Sequence, residues 1–66
     1  MPRYFFVVKT RLQRLNDEGG TTLLNDEKAL AYARKLVANL KTQGDRDGWS
    51  MIVEDDGGRV VSTIPV

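Results

Sequence analysis

Hydrophobic residues recur with a helical period in one stretch of this chain, between Asn25 and Gly44. At about 100° per residue, its apolar side chains fall on one side of a helix and most charged side chains fall on the other. Asn25 is a favourable N-cap because its side-chain oxygen accepts from free amides of the first turn, and Gly44 suits the left-handed residue that commonly follows a helix. The pattern therefore predicts an amphipathic helix whose apolar stripe is Ala29, Ala33, Leu36, Val37 and Leu40.

Short apolar runs on either side of this helix predict β-strands. Residues 3–12 predict the first strand: residues 4–8 are all aromatic or β-branched and make it apolar on both sides of the pleat, which is typical of a central strand. A weaker second strand follows, interrupted by a turn at residues 16–20 and extended by residues 21–24. Residues 49–54 and 59–64 predict two more strands, joined by an Asp-Asp-Gly-Gly hairpin turn. Pro65 cannot donate to a ladder, so the last strand is expected to end there.

The order of these elements predicts an α+β fold. A β-hairpin, an α-helix and a second β-hairpin (ββαββ) make a single two-layer domain, in which a four-stranded sheet packs on one helix. The chain of 66 residues has room for one such domain. By analogy, the element order resembles the β-grasp arrangement, in which the first and last strands lie side by side at the centre of the sheet.

One helix covers one face of a sheet, so the other face is expected to stay open. By alternation along each strand, the face under the helix should hold Tyr4, Phe6, Val8, Trp49, Met51, Val53, Val60 and Ile64, with Trp49 as a core anchor. The open face should then hold Phe5, Val7, Ile52, Val61 and Thr63, beside Lys9. Because exposed apolar patches often mark interfaces, these five residues are the candidate protein interface, for a partner protein or for a second copy of the chain.

Charge supports one alternative function. The chain carries ten basic and nine acidic residues, and its bases concentrate before Leu15 and along the helix. Candidate phosphate contacts of a small nucleic-acid-associated or antitoxin-like regulator are Lys9, Arg11, Arg14 and Lys35. The acids nearly cancel the bases and the aromatic residues fall at core positions, so the composition favours protein interaction over nucleic-acid binding.

Few residues of this chain suit catalysis or metal binding. It has no histidine and no cysteine, which removes the commonest acid–base group at neutral pH and the thiol nucleophile. The pair Asp55-Asp56 is explained by the turn that it begins, and Asp45-Arg46-Asp47-Gly48 lacks the further ligands of a calcium loop, which it faintly resembles. We therefore expect a protein that is not an enzyme and uses no cofactor or metal. Without an apolar run of about 20 residues or a signal-peptide pattern, we also expect no membrane association and a cytoplasmic location.

The opening Met1-Pro2-Arg3-Tyr4-Phe5-Phe6 resembles a family of short bacterial proteins of unknown function. Further matches to that family are Asp17-Glu18, Gly20-Thr21, Leu23, the Ala29/Ala31/Ala33 helix, Trp49, the Asp56-Gly57/Gly58-Arg59-Val60 turn and the Thr63-Ile64-Pro65 ending. The family commonly has a histidine at the position of Val7 and Asp-Gly at that of Thr10-Arg11, which this chain lacks. The resemblance implies no activity and no functional residue. A fainter likeness is to antitoxin domains of the HicB type, which also place an Ala-rich amphipathic helix after an early strand hairpin.

Overall fold

A computed structural model describes residues 1–44 and 48–66 of the chain. Its elements are strands β1 (Arg3–Lys9), β2 (Arg14–Leu15) and β3 (Thr21–Thr22), helix α1 (Asp26–Thr42), and strands β4 (Ser50–Asp55) and β5 (Val60–Pro65). The fold is the α+β arrangement expected from the sequence, with one helix packed against an open antiparallel sheet. The loop expected at residues 45–48 lies outside the described residues except for Gly48.

Helix α1 begins and ends where its sequence signals indicate. The Asn25 side chain accepts a hydrogen bond from the backbone N–H of Lys28 at 2.9 Å, and Asp26 and Glu27 occupy the first turn. Acidic residues there stabilise the positive end of the helix dipole. Gln43 closes the other end, and its backbone N–H donates to the carbonyl of Leu40.

The sheet has the order β2-β1-β4-β5, with β3 also paired to β1. All of its pairs are antiparallel, and β1 and β4 align from Tyr4 opposite Asp55 to Lys9 opposite Ser50. The last strand is therefore an edge strand beside β4. The β-grasp-like order, with first and last strands adjacent at the centre, is wrong for this chain.

The predicted second strand is divided into two short strands along the same edge of β1. β2 pairs with the end of β1, and β3 pairs with its start. Between them, the Asp17 carboxylate accepts hydrogen bonds from the backbone N–H groups of Phe6 and Gly20, at 3.2 and 3.1 Å. Asp17 therefore replaces a strand partner for Phe6, because a backbone donor left without a partner inside a sheet is costly.

A β-bulge in the second hairpin reverses part of the predicted face assignment. Val53 lies opposite Ser62, but the next residue, Glu54, lies opposite Val60, so Val61 is the extra residue. Val61 consequently packs against the core, although its alternation predicted the open face. Val60 was predicted under the helix, and it lies instead on the opposite face and is exposed.

The core lies between α1 and the face of the sheet that we call the inner face. It contains Tyr4, Phe6, Ala29, Ala33, Val37, Met51 and Val53, with Val8, Leu23, Leu36, Leu40, Val61, Ile64 and Val66 packed around them. Trp49 is not among them, so the prediction of a core anchor is wrong. Trp49 is half-buried and borders instead a depression at the first hairpin, with Leu12 and Leu15.

No helix within residues 1–44 and 48–66 combines the length and apolar character needed to cross a membrane.

Candidate functional site

The outer face of the sheet, opposite α1, holds four of the five predicted interface residues. Val7 lies between Phe5 and Lys9 on β1 and opposite Ile52, and Ile52 lies opposite Thr63. Thr63 is exposed, Phe5 and Ile52 are half-buried, and Val7 is only 2% exposed. The fifth residue, Val61, packs on the inner side. The structure thus brings four of these residues together but does not leave them as an open apolar patch.

An ion pair that crosses the outer face accounts for the burial of Val7. The Arg14 guanidinium donates to Glu54 Oε1 at 3.0 Å, and it also donates to the Asn16 side chain at 2.9 Å. Arg14 lies beside Lys9 and Glu54 lies beside Phe5, so the Arg14 side chain passes over β1 at the level of Val7. Long basic side chains often cover apolar surface with their aliphatic stem in this way. The predicted interface is therefore partly closed by a polar bridge.

α1 does not cover the inner face evenly. It lies closest to β4 and β5, and it meets β1 at the buried side chains of Tyr4 and Phe6. Val8, farther along β1, is only partly buried, and a groove of about 470 Å³ opens between this part of the sheet and the helix. We call it the inner groove; it is lined by Phe6, Val8, Asp17, Thr21, Tyr32, Leu36, Asn39, Leu40, Gln43 and Met51.

Tyr32 and Phe6 both line the inner groove, and their rings are in contact. Their ring centroids are 4.9 Å apart and the rings are tilted by 48°, a geometry favoured by aromatic quadrupoles. Tyr32 remains 37% exposed, whereas Phe6 is buried. Leu36 and Leu40 continue the apolar wall along α1 and are partly buried. The groove thus joins an exposed aromatic side chain to the core.

A second apolar surface lies at the tip of the first hairpin. Leu12 is 96% exposed there, and it borders a depression with Leu15 and the half-buried Trp49. The turn is held by the Thr10 hydroxyl, which accepts from the backbone N–H groups of Leu12 and Gln13 at 3.2 and 3.0 Å. The tip therefore presents Leu12 to solvent on an ordered turn.

The four candidate phosphate contacts do not form one basic surface. Lys9 and Arg14 are neighbours on the outer side of the sheet, but the Arg14 guanidinium is engaged by Glu54. Arg11 lies against Gly48, and Lys35 is exposed on α1, on the inner side of the sheet. The structure therefore separates Lys35 from the other three.

Four polar side chains tie β1, α1 and the second hairpin together. The Tyr4 hydroxyl donates to Asp26 Oδ1 at 2.7 Å, and Arg59 donates to Asp26 Oδ2 at 2.8 Å and to Asp55 Oδ2 at 3.0 Å. Asp55 also accepts from the backbone N–H groups of Gly57 and Arg59. The network stabilises the hairpin turn against the start of the helix.

The same network shifts the pKa values of all four side chains, and the hydrogen bonds that Arg59 donates to Asp26 and then to Asp55 raise the pKa of Arg59. The hydrogen bond to the Asp26 carboxylate, followed by burial, raises the pKa of Tyr4 from 10.0 to about 12. Hydrogen bonds from Arg59 and then from Tyr4 lower the pKa of Asp26. The backbone N–H of Arg59 is the largest cause that lowers the pKa of Asp55. The folded state thus favours a protonated Tyr4 beside two ionised carboxylates.

We expect the stability of the protein to fall at both ends of the pH range. The contribution of Tyr4 is fully present below pH 10 and is lost as the pH rises towards about 12, because the phenol loses its proton more easily in the unfolded chain. The contributions of Asp26 and Asp55 are present above pH 3.8 and are lost as the pH falls below it. Urea unfolding at pH 7 and pH 11 measures the alkaline part.

Two phenylalanine variants provide the comparison. Tyr4→Phe should lose less stability than the wild type between these two pH values, whereas Tyr32→Phe should keep the wild-type loss. An unchanged pH dependence in Tyr4→Phe would contradict the assignment of the alkaline loss to the Tyr4–Asp26 hydrogen bond.

Sequence reasoning missed the inner groove, although one signal of it was present. Tyr32 lies at the margin of the apolar stripe of α1, next to Leu36 rather than at its centre. A large aromatic residue at such a margin indicates that the apolar contact area extends past the side of the helix.

Within the described residues, no three metal-ligating side chains lie close enough together to hold a metal ion.

Comparison with known proteins gives a family but no relative of known activity. No curated protein and no solved structure gave a significant match. The likeness to HicB-type antitoxin domains is not supported. A family model, "Domain of unknown function (DUF6894)", matches residues 3–66 of the chain. The early resemblance to a family of unknown function is thereby confirmed, and the chain belongs to the DUF6894 family.

Proposed function

We propose that this chain is a non-enzymatic protein-binding domain and that the inner groove is its binding surface. One observation carries the proposal: α1 lies closest to β4 and β5, and a groove lined largely by apolar side chains opens between the helix and β1. When a partner covers an apolar surface of this kind, that surface leaves water, and this contributes favourably to the free energy of binding.

The lining of the inner groove suits a binding site. Six of its residues are apolar or aromatic, and four polar residues lie among them: Asp17, Thr21, Asn39 and Gln43. Binding sites commonly combine an apolar floor with a few polar groups that fix orientation. Tyr32 and Leu36 supply the side chains that a partner would bury first, because aromatic anchors contribute most of the energy at many interfaces.

The length of the groove favours a segment of protein over a compact small molecule. Its helical wall runs from Tyr32 to Gln43, which at 1.5 Å per residue is about 16 Å. About three turns of a partner helix would occupy that length. Strand addition at this edge has less support, because β2 and β3 have two residues each and the Asp17 loop separates them.

The outer face and the candidate phosphate contacts have less support as binding surfaces. The outer face is crossed by the Arg14–Glu54 ion pair, and the candidate phosphate contacts are divided between two sides of the molecule. Nucleic-acid binding therefore remains the alternative function, and we expect it to be weak and salt-dependent, as for nonspecific phosphate contacts.

A random peptide display library selected on the immobilised domain tests the proposal. We expect the selected peptides to shift the amide resonances of Phe6, Val8 and the Tyr32–Gln43 wall in ¹⁵N-labelled protein. Tyr32→Glu should weaken their binding at least about tenfold, since it places a charge at the aromatic anchor.

Arg34→Glu is the matched control for this variant. It introduces the same residue on α1, two positions away, outside the groove lining. Peptides that instead shift Phe5, Ile52 and Thr63 would move the binding surface to the outer face. A library that yields no peptide binding tighter than about 10⁻⁴ M would contradict the protein-binding proposal itself.

A further inference from the structure

We infer that the partner segment in the inner groove is an amphipathic helix with acidic residues along one side of its apolar stripe and basic residues along the other. The inference rests on the proposed function and specifies its partner. It is based on the size of the groove and on the opposite charges that lie along its two sides.

The inner groove has the size of a row of side chains, with a volume of about 470 Å³. Val8 and Met51 line it from the sheet, and Leu36 and Leu40 line it from α1. An amphipathic helix carries its apolar side chains in such a row, at positions i, i+3, i+4 and i+7. It can therefore insert this row into the groove while its backbone and its polar flanks stay above the opening, as in other helix-in-groove complexes.

The two sides of the groove carry opposite charges. Lys28 and Lys35 are exposed on α1, and we call them the helix rim. Asp17 lines the groove from the loop between β2 and β3, and the exposed Glu18 follows it; we call these two residues the loop rim. In the described part of the chain, no ion pair engages Lys28, Lys35 or Glu18. A helix bound over the groove would have lysines along one flank and carboxylates along the other.

Helix geometry places both lysines on the groove side of α1. Tyr32 lines the groove and precedes the buried Ala33 by one position, a rotation of about 100° about the helix axis. Lys28 precedes Tyr32 by four positions and Lys35 follows it by three, so they lie about 40° and about 60° from it, turned further from the sheet. Arg34 follows Ala33 by one position and lies on the opposite side of the helix.

The spacing of the helix rim suits a helical partner. Lys28 and Lys35 are seven residues apart, about 10.5 Å along α1. Acidic residues seven positions apart on the partner helix would face both lysines, and basic residues on its other flank would face Asp17 and Glu18. A helix with acidic residues on both flanks, or with basic residues on both, would bring like charges together along one rim, which is unfavourable.

The charges also set the direction of the bound helix. Tyr32 shows that α1 faces the groove with residues that precede its buried stripe by one position. A partner that lies beside α1 and runs parallel to it faces α1 with residues that follow its own stripe by one position. Acidic residues after the stripe and basic residues before it therefore fit the parallel direction, and the exchanged pattern fits the antiparallel direction.

Four designed helical peptides that share one stripe of leucines test the inference. The parallel peptide has Glu after the stripe and Lys before it, the antiparallel peptide has the reverse, and the acidic and basic peptides have Glu or Lys on both flanks. We expect the first two to bind at least about fivefold tighter than the last two in buffer without added salt. A nitroxide at the peptide N-terminus should broaden amide resonances of the first turn of α1 with the parallel peptide, and of its last turn with the antiparallel peptide.

A pair of double variants shows which side of α1 makes the charge contacts. Lys28→Glu/Lys35→Glu makes both rims acidic, so the basic peptide should become the tightest of the four. Arg34→Glu/Lys41→Glu is the matched control, since it reverses two charges with the same spacing of seven residues on the other side of α1. This control should keep the wild-type order of the four peptides.

Several outcomes would overturn the inference. These are four peptides with equal affinities, no binding by any of them, a nitroxide effect at the same end of α1 for both mixed peptides, or an equal change of preference in the two double variants. Peptides from the display library that occupy the inner groove in an extended form would also overturn it. Each of these leaves the proposed function in place as long as library peptides bind in the groove, so the two failures are distinguishable.

Discussion

An Ala33→Asp variant is expected to be unfolded in buffer at 25 °C. Ala33 is 0% exposed in the middle of the core, between α1 and the sheet. A carboxylate at that position would be buried without a partner among the described core residues, which costs several kcal/mol, and its extra atoms have no space. The whole free energy of unfolding of a 66-residue domain is only about 3–10 kcal/mol. Far-ultraviolet circular dichroism should show the loss of the helix.

Ala31→Asp provides a matched control on the same helix. It makes the same replacement two residues earlier, at an exposed position, where the cost is limited to the helix propensity of Asp, about 0.7 kcal/mol or less. This variant should retain a cooperative thermal transition close to that of the wild type. Equal stabilities for the two variants would mean that α1 does not pack on the sheet through Ala33.

The elements that sequence reasoning located correctly are those specified by local interactions. The Asn25 cap and the Asp55–Arg59 hairpin turn each depend on hydrogen bonds between residues a few positions apart. Local signals of this kind do not depend on how the rest of the chain is arranged. The order of hairpin, helix and hairpin then predicted the fold class.

Features that depend on pairing between distant residues were not predictable in the same way. The face assignment of β5 failed at Val60 and Val61, because a single bulge residue exchanges the two faces of a strand. Both residues are valine, and valine does not indicate a bulge. The Arg14–Glu54 ion pair joins residues 40 positions apart, so the burial of Val7 beneath it had no local signal.

The lateral position of the helix had the largest consequence for the candidate site. An apolar stripe shows which side of α1 faces the sheet, but it does not show which strands lie under it. α1 lies closest to β4 and β5, and this offset opens the inner groove beside β1, where an evenly covered layer was expected. The candidate surface therefore moved from the outer face to the inner face, although the residues that line it were all assigned to the right elements.

Gly20→Ala is expected to destabilise the protein by about 2–4 kcal/mol, for two separate reasons. The backbone φ of Gly20 is +70°, a region that costs a residue with a Cβ atom about 1–2 kcal/mol. A Cβ atom there would also lie 2.8 Å from Arg3 Cγ and 2.9 Å from Phe5 Cε1, so the two side chains would have to move. That movement would disturb the loop that leads into β3 and carries Asp17, whose carboxylate accepts from the backbone of both Gly20 and Phe6. Urea denaturation measures the difference in the free energy of unfolding.

Two other glycines separate these two costs. Gly58 has φ of +85° and open space around its Cα, so Gly58→Ala should cost only about 1–2 kcal/mol, the backbone part alone. Gly19 has open space and no positive φ, so Gly19→Ala should be neutral or slightly stabilising, by up to about 1 kcal/mol. The expected order of stability is therefore Gly19→Ala, then Gly58→Ala, then Gly20→Ala. If Gly20→Ala cost no more than Gly58→Ala, the close approach of Gly20 to Arg3 and Phe5 would be wrong, and with it the position of the Asp17 loop that borders the inner groove.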